Sequence, residues 1–487
     1  MGREHAVDSL VKGVRSRPMF GEKASISPSG IFISFCIGLG SLAGCASVPH
    51  VDPGIAVMSS SAKPQIIGAR GPLTAQQSKA LLQWISTDPG DAGMLQRHLA
   101  IEEAVAEGPL ISGNRTRILR DGPASFRAIF GAIKGAVSHV NLEYFIFEDV
   151  ESDGVSLGDL LVAKREAGVA VNVIYDSYGS SSTPTAFFER LKQAGVNLVA
   201  FNPVNPLDAK VSYSLNDRDH RKILVADGTT AIVGGVNLST AYQSNPLGKS
   251  GPPKGGEMYP WRDTDLLIEG PAVAQLQALF IDHWNQQKGP ALADPSMFPA
   301  IAAKGTAVAR VLGSTPDKDV PQYYVTLLSA IRNAEKSIML SAAYFVPTEQ
   351  EMEDLKGAAQ RGVDVRLLLP DKSDSELSIA VGHSHYFDLL QAGVKIYETH
   401  DIVLHSKTVV VDGVWSAIGS SNFDHRSIIF NDEVDVVVLG SDTANELEAT
   451  FADDQHGATP ITFDAWKNRA LLPRMKELFA VTWQSWL

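Results

Sequence analysis

Apolar and polar positions alternate along this chain in a pattern that predicts helices and buried strands in turn. Across residues 74–107 the apolar side chains recur at helical spacing, with Leu81, Leu82 and Ile85 on one face. From residue 117 onward the pattern predicts helices at 124–137 and 157–167, and strands at 140–147, 169–175 and 196–201. Apolar runs without polar interruption, set between helices, favour strands buried on both faces and therefore βαβ units.

The second half of the chain repeats this order of elements. Matching positions recur in both halves: Ala132 and Ile133 with Ala330 and Ile331, Gly168 and Val169 with Gly362 and Val363, and Gly195 and Val196 with Gly393 and Val394. The boundary falls within residues 288–305. The sequence therefore predicts two similar α/β domains, residues 73–300 and 301–487, with mixed sheets flanked by helices and a pseudo-twofold axis between them.

Two segments carry the strongest part of the repeat. They read DHRKILVADGTTAIVGGVNLST at residues 219–240 and LHSKTVVVDGVWSAIGSSNFDH at residues 404–425. Six positions coincide at a constant offset of 185 residues: His220 and His405, Lys222 and Lys407, Asp227 and Asp412, Gly234 and Gly419, Gly235 and Ser420, and Asn237 and Asn422. A single His-x-Lys is most often a surface or core pair, but two complete copies in one register indicate a functional site.

The chemistry of the repeated segment suits a phosphodiester. On a strand, positions i and i+2 share a face, so His220 points the same way as Lys222, and His405 the same way as Lys407. Facing halves would gather two imidazoles, two ammonium groups and two carboxamides. The lysines would stabilise charge on phosphate oxygens, one histidine would attack phosphorus, and the other would protonate the leaving alcohol. This chemistry requires no metal and no cofactor, because the two lysines neutralise the phosphate.

The spacing H-x-K-x4-D-x6-G-[GS]-x-N resembles the motif of the phospholipase D superfamily, and both copies match every fixed position. Within that superfamily the chain is most similar to bacterial cardiolipin synthases. The similar segments are EYFIFED (143–149), RDTDLLIEGPAV (262–273), AAYFVP (342–347), RGVDVRLLLP (361–370), AGVKIYE (392–398) and SSNFDHRSIIFNDEVDV (420–436). The resemblance implies two phospholipase D-like domains and metal-independent transfer of a phosphatidyl group through a histidine, from phosphatidylglycerol to a second lipid hydroxyl, giving cardiolipin.

The resemblance also implies a carboxylate that holds each histidine in one tautomer. When the two copies are aligned downstream of the motif, Asp263 falls opposite Glu433, and these two residues are our candidates. The alternative for them is an exposed salt-bridge carboxylate. We assign the motif residues Asp227 and Asp412 to structural roles, in which they hold the adjoining loop.

The acceptor of the phosphatidyl group stays open at this point. Hydrolysis to phosphatidic acid and transfer to another alcohol differ from cardiolipin synthesis only in how well the cleft excludes water. Cleavage of DNA, known elsewhere in the superfamily, is disfavoured by a formal net charge of −13 without a basic surplus, so no nucleic-acid partner is expected. We assign His220 as the nucleophile and His405 as the acid and then the base, while the reverse assignment remains possible.

The N-terminus carries a targeting pattern. A basic stretch precedes the apolar run at residues 30–40, which is too short to span a bilayer and is typical of a signal peptide. The following LAGC sequence at 42–45 resembles a bacterial lipoprotein cleavage box. It implies a signal peptide over residues 1–45, lipidation of Cys45, a tether over 46–72 and a membrane-anchored location in the bacterial periplasm. An uncleaved anchor or a buried apolar helix is the alternative.

A Gly/Pro-rich loop distinguishes the first half from the second. It covers residues 244–260 and lies between the motif asparagine and the candidate carboxylate. We predict that it overhangs the cleft as a lid or as a rim that contacts lipid. A surface insertion without a function is the alternative.

Overall fold

The structure, a computed structural model, describes most of the chain. The described residues are 11–12, 48, 50–51, 65–86, 91–203, 211, 214, 216–243, 259–292, 297–316, 318, 320–484 and 487. The predicted lipidation site Cys45, the LAGC sequence and residues 244–258 of the Gly/Pro-rich loop lie outside these ranges. Across the ranges that are described, no helix is both long enough and apolar enough to pass through a bilayer.

Helices and strands alternate through both halves of the described chain. The helices are α1 (Ala75–Ile85), α2 (Asp91–Val105), α3 (Gly122–Gly135), α4 (Leu157–Glu166), α5 (Thr185–Gln193), α6 (Val273–Gln286), α7 (Gln322–Asn333), α8 (Glu349–Gln360), α9 (Glu376–Ala392), α10 (His425–Ile429), α11 (Ser441–His456), α12 (Phe463–Lys467) and α13 (Leu471–Val481). The strands are β1 (Val11–Lys12), β2 (His50–Val51), β3 (Ile66–Gly68), β4 (Gly71–Pro72), β5 (Leu110–Arg120), β6 (His139–Tyr144), β7 (Glu151–Ser152), β8 (Val155–Ser156), β9 (Ala170–Asp176), β10 (Asn197–Phe201), β11 (Arg218–Asp219), β12 (Lys222–Ala226), β13 (Thr230–Gly234), β14 (Trp261–Arg262), β15 (Thr264–Glu269), β16 (Ala307–Ser314), β17 (Ser337–Ala342), β18 (Asp364–Pro370), β19 (Lys395–Thr399), β20 (Val403–Leu404), β21 (Lys407–Val411), β22 (Trp415–Gly419), β23 (Asn431–Leu439) and β24 (Ala458–Ile461).

The two halves contain sheets of the same design. The first sheet has the order β10-β9-β6-β12-β13-β15-β5, in which β10, β9 and β6 are parallel and each later pair is antiparallel. The second has the order β19-β18-β17-β21-β22-β23-β16 with the same directions, and β24 adds an antiparallel edge. This match confirms the predicted fold class, two similar α/β halves with mixed sheets.

The central core lies where the two sheets meet. Ile223, Val225 and Val233 of the first sheet share one buried apolar cluster with Val434 and Val436 of the second. The other face of the first sheet is covered by α3 to α5, and α7 to α9 cover the second sheet in the same way. Strands buried on both faces explain why the apolar runs in the sequence lack polar interruptions.

The N-terminal helices pack on the second half, although the predicted first domain includes them. Within residues 74–107 the structure describes two helices, α1 and α2, where the sequence pattern predicted one helical stretch. Leu99 of α2 joins the same apolar cluster as Leu327 of α7. An apolar helical face shows that a helix is covered but does not identify its partner, so the sequence could not place this contact.

Two short strand pairs join the halves beside the repeated motifs. Strand β11 runs parallel to β23, and β14 runs parallel to β20, so each half contributes to both pairs. Next to them the backbone N–H of His220 donates to the carbonyl of Asp432 at 2.9 Å, and that of His405 donates to Arg262 at 2.7 Å. The chain is therefore anchored across the domain boundary at both motif histidines.

Candidate active site

His220 of the first half is bonded to a carboxylate of the second half. Its Nδ1 lies 3.1 Å from both side-chain oxygens of Glu433. Glu433 is itself buried and accepts hydrogen bonds from the hydroxyls of Ser420 and Ser427 and from the amide of Asn431. An ionised carboxylate can only accept, so Nδ1 of His220 carries the proton and Nε2 keeps its lone pair.

His405 of the second half has the reciprocal arrangement. Its Nδ1 lies 2.7 Å from Oδ2 of Asp263, a residue of the first half, and 3.0 Å from the hydroxyl of Tyr242. Each histidine is therefore held by a carboxylate that the other half supplies. The structure brings together all four residues that the sequence singled out for this role: His220, His405, Asp263 and Glu433.

The two motif lysines lie beside the two histidines. Nζ of Lys222 donates to the carbonyl oxygen of His220, and Nζ of Lys407 donates to that of His405, both at 2.5 Å. Nζ of Lys407 also lies 3.1 Å from Nε2 of His405. All four side chains are buried. The site therefore holds two ammonium groups next to two imidazoles in a region largely shielded from water.

Burial and mutual repulsion lower the basicity of these groups. Burial lowers the pKa of His220 to about 4; Glu433 opposes the change, and the charges of Lys222 and Lys407 add to it. Burial also lowers the pKa of Lys222 to about 7 and lowers the pKa values of His405 and Lys407. Since Lys407 acts on a histidine of the other half, both motifs share one electrostatic environment. An anion bound beside the two lysines would favour their charged forms.

The two motif asparagines are both buried but are bonded differently. Oδ1 of Asn237 accepts a hydrogen bond from the backbone N–H of Ile146 at 3.1 Å. Oδ1 of Asn422 has no hydrogen-bond partner within the described part of the chain. The side-chain oxygen of Asn422 is thus left to accept a hydrogen bond, whereas the matching oxygen of Asn237 already accepts one from the backbone.

The motif aspartates bind backbone and do not contact the histidines directly. The carboxylate of Asp227 accepts from three successive backbone N–H groups, and that of Asp412 does the same in the second half. The donors are Val137, Ser138 and His139 for Asp227, and Glu335, Lys336 and Ser337 for Asp412. These contacts support a structural role, in which each aspartate fixes the start of the strand that pairs with its motif strand.

A second pair of buried carboxylates was missed by the sequence reasoning. Asp265 follows Asp263 by two residues, and Asp435 follows Glu433 by two. A Cβ atom added at Gly234 would lie 2.4 Å from Oδ1 of Asp265, and one added at Gly419 would lie 2.1 Å from Oδ1 of Asp435. Burial raises the pKa of Asp265 to about 7 and that of Asp435 to about 8. The repeat does indicate this pair, because Asp265 and Asp435 also coincide when the two copies are aligned.

Aromatic side chains surround His405 and were also missed. The ring of Trp261 lies 5.0 Å from the imidazole, and the ring of Tyr344 lies 6.0 Å away. The hydroxyl of Tyr344 donates to Asp374 at 2.6 Å. Trp261 and Asp374 also line an open cavity of about 660 Å³ beside the site. Trp261 belongs to the first half, and Asn431 stands at the matched position of the second, so the repeat gave no signal for this ring.

A buried ionic cluster lies behind His220. The ligand atoms of Glu143, Asp219 and His283 are within 4.8 Å of one another, the only group in the described residues with the spacing of a metal site. Oε1 of Glu143 is already bonded to His283 at 2.8 Å and to Arg221 at 3.3 Å. Arg221 also donates to the backbone carbonyl of Glu433 at 3.2 Å. The cluster therefore holds the backbone of Glu433, the residue whose carboxylate is bonded to His220.

Comparison with known proteins agrees with this geometry. The family described as "Cardiolipin synthase, PLD-like domain" matches residues 129–245 and 327–455, one range in each half. The cardiolipin synthase of Geobacillus thermodenitrificans is 36% identical over 384 residues, covering 78% of this chain and 73% of that protein. The cardiolipin synthase of Halalkalibacterium halodurans is 35% identical over 388 residues, covering 79% and 75%.

A solved structure shows the same fold. The crystal structure of phosphatidylserine synthase from Haemophilus influenzae superimposes with a TM-score of 0.59 at 12% identity, covering 80% of this chain and 97% of that one. At this identity the likeness concerns the fold alone. With both halves matched by the family description and two relatives aligned over most of their length, the chain belongs to the cardiolipin synthase family of phospholipase D-like phosphatidyltransferases.

Proposed function

We propose that this protein joins two phosphatidylglycerol molecules into cardiolipin and glycerol through a phosphatidyl-histidine intermediate. The observation that carries the proposal is the reciprocal pairing of His220 with Glu433 and of His405 with Asp263. It leaves the two Nε2 atoms for chemistry in a site that also holds two lysines. Cardiolipin synthases among the relatives support the choice of lipid.

In the first step, Nε2 of His220 attacks the phosphorus of the donor lipid. The N–P bond forms while the bond between phosphorus and the glycerol headgroup oxygen breaks, and that oxygen takes a proton from Nε2 of His405. Lys222 and Lys407 stabilise the charge on the nonbridging oxygens. These ammonium groups supply the positive charge that the step needs, so the proposed reaction requires no metal.

In the second step, the headgroup hydroxyl of another phosphatidylglycerol attacks the same phosphorus. It gives its proton to Nε2 of His405, and the N–P bond breaks as the new P–O bond forms. His220 returns to its neutral form and His405 to its protonated form. The second displacement reverses the first with a different alcohol, so one pair of residues serves both.

The surroundings of the histidines support His220 as the nucleophile. Its low pKa of about 4, caused by burial and the two lysines, keeps Nε2 unprotonated at neutral pH. The pKa of His405 is lowered by burial and Lys407, but this histidine has two acidic neighbours, Asp263 and Asp374, which favour its protonated form. The arriving phosphate adds negative charge and favours that form further, as a general acid requires.

We also propose that the protein acts in the bacterial periplasm as a membrane-anchored lipoprotein. The LAGC sequence at residues 42–45 and the apolar run before it support this proposal. Mass spectrometry of the mature N-terminus tests it. Diacylglycerol on Cys45 is the expected result, and an unmodified chain that begins upstream of Cys45 would contradict it.

The reaction is tested with purified full-length protein and phosphatidylglycerol labelled in the headgroup. Cardiolipin and labelled glycerol in equal amounts, unchanged by EDTA, are expected. Phosphatidic acid as the main lipid product would instead identify a hydrolase, and loss of activity with EDTA would contradict the metal-free steps. His456→Ala, a change at an exposed histidine outside the site, is the matched control and should retain full activity.

The nucleophile is tested with a donor whose leaving group needs no acid, phosphatidyl-p-nitrophenol. His405→Ala should still release one equivalent of nitrophenol and retain the phosphatidyl group on His220. His220→Ala should release none. The opposite pattern would exchange the two roles.

A further inference from the structure

The C-terminal helix α13 presents an apolar face to solvent. Five large side chains lie at spacings of one, three or four residues, which places them together on one side of a helix. Their exposed fractions are 73% for Leu471, 69% for Leu472, 68% for Met475, 75% for Leu478 and 67% for Phe479. An exposed apolar patch of this kind on a soluble surface marks an interaction site.

The opposite side of α13 attaches the helix to the protein. Ala480 is buried in a cluster with Val346 and Val381, and Glu477 is buried and paired with Arg469. The exposed face therefore takes no part in holding the helix in place. It is available to a partner without any change in the fold.

Basic residues border the apolar face on both sides. At about 100° per residue, Arg474 falls on one edge of the face and Lys476 on the other. Lys467 precedes the helix in the short α12. This local positive charge stands out in a chain with a net charge of −13. An apolar face edged by lysine and arginine is typical of a helix that lies in the interface of an anionic bilayer, where the cations reach the headgroups.

The helix also borders the cavity beside the active site. Pro473 and Lys476 of α13 line the cavity of about 660 Å³ whose other walls include Trp261 and Asp374. The ring of Trp261 lies against His405 at 5.0 Å. A lipid headgroup held next to α13 would thus lie at a cavity whose wall includes Trp261, the ring that contacts His405.

We propose that α13 docks the protein on the surface of a bilayer that contains anionic phospholipid and so delivers headgroups to the cavity. The proposal rests on the proposed function, because it concerns the route of that substrate. A second copy of the chain is the other way to cover the face. It would bring the basic edges of two α13 helices together, and this like-charge contact favours lipid instead.

One test compares vesicle and monomeric substrates in the full-length protein. The variant Leu472→Gln, Leu478→Gln, Phe479→Gln should lose at least about tenfold in turnover of phosphatidylglycerol in vesicles with phosphatidylethanolamine. It should keep its turnover of dihexanoyl phosphatidylglycerol below the micelle concentration. The matched control Trp84→Gln, Val137→Gln, Phe298→Gln removes similarly exposed apolar groups elsewhere and should change neither rate. An unchanged vesicle rate, or equal loss on both substrates, would overturn the proposal.

A second test needs no turnover and so stands even if the proposed reaction is wrong. In a full-length chain with Cys36→Ser and Cys45→Ser, a fluorophore is attached to the thiol of Met475→Cys or, as a control, of Lys192→Cys at another exposed position. Spin-labelled lipids in phosphatidylglycerol vesicles should quench the first label and not the second. Equal quenching of both labels would contradict docking on lipid. So would a disulfide that joins two copies of the unlabelled Met475→Cys variant in the absence of vesicles.

Discussion

Glu433 lies 3.1 Å from Nδ1 of His220, although 213 residues and a domain boundary separate the two in the chain. The same relationship joins Asp263 to His405 in the opposite direction. In the proposed mechanism, reciprocal pairing explains why two copies of one motif serve a single reaction. Each copy supplies a histidine for one role and a carboxylate for the other.

Glu433→Gln should lower kcat by about 10²–10⁴-fold with little change in KM, because the amide neither stabilises an imidazolium nor enforces one tautomer. The measurement is steady-state turnover of phosphatidylglycerol, with circular dichroism to verify folding. Glu353→Gln makes the same change at an exposed position and should match the unsubstituted protein. Full activity of Glu433→Gln would remove the carboxylate from the mechanism.

Gly235→Ala should lower kcat at least about tenfold. The added Cβ would lie 2.2 Å from Oδ1 of Asp263, so the carboxylate must leave its present position against His405, and small displacements of a catalytic group are costly. Gly135→Ala is the matched control, since a Cβ there meets no atom within 4 Å. If both variants have the same kcat, the close approach of Gly235 to Asp263 does not matter for catalysis.

The value of kcat/KM should fall as the pH rises through about 7. Burial lowers the pKa of Lys222 to about 7, so the free enzyme loses this ammonium charge at alkaline pH and binds the anionic diester less well. Bound phosphate favours the charged lysine, so the fall in kcat should occur at higher pH. Profiles recorded from about pH 5.5 to about pH 9.5 with a monomeric substrate test this. A value of kcat/KM that falls only near about pH 10.4, the ordinary pKa of a lysine, would contradict this prediction.

Asp435→Asn should become more stable relative to the unsubstituted protein as pH rises. Burial raises the pKa of Asp435 to about 8, so folding favours its protonated form. The stability that protonated Asp435 contributes is complete below about pH 4, the pKa of an aspartate in the unfolded chain. It is lost as the pH rises through about 8. The Asn variant loses no such stability. Its free energy of unfolding should therefore exceed that of the unsubstituted protein by several kcal/mol more at high pH than at low pH, at about 1.4 kcal/mol per pKa unit.

Urea unfolding at about pH 5 and about pH 8.5 measures this difference, because every other titrating group is common to both proteins. A difference in the free energy of unfolding that does not change between the two pH values would show that Asp435 is ionised in the folded state.

Asp412→Ala should lower the free energy of unfolding by about 2–4 kcal/mol, because three backbone N–H groups lose a charged acceptor. The activity per folded molecule should change little. Asp282→Ala, at an exposed position in α6, is the control and should lie within about 0.5 kcal/mol of the unsubstituted protein. A variant that is stable but inactive would instead place Asp412 in the reaction.

The repeat made most of the site predictable. Apolar runs located the strands to within a few residues, and the alignment of two copies paired Asp263 with Glu433 before any geometry was known. Features outside the repeat could not be found this way. Tyr242 and Trp261 reach His405 from one half only, and the apolar face of α2 gave no sign that it packs on the second half.

The parallel contacts of β11 with β23 and of β14 with β20 have a consequence for assembly. A nascent chain that has emerged only as far as the domain boundary contains His220 without the carboxylate of Glu433 that is bonded to it in the folded protein. The same holds for a proteolytic fragment of either half. The two histidine–carboxylate pairs are thus completed together, when both halves have folded and met, and the proposed reaction cannot begin on partly made protein.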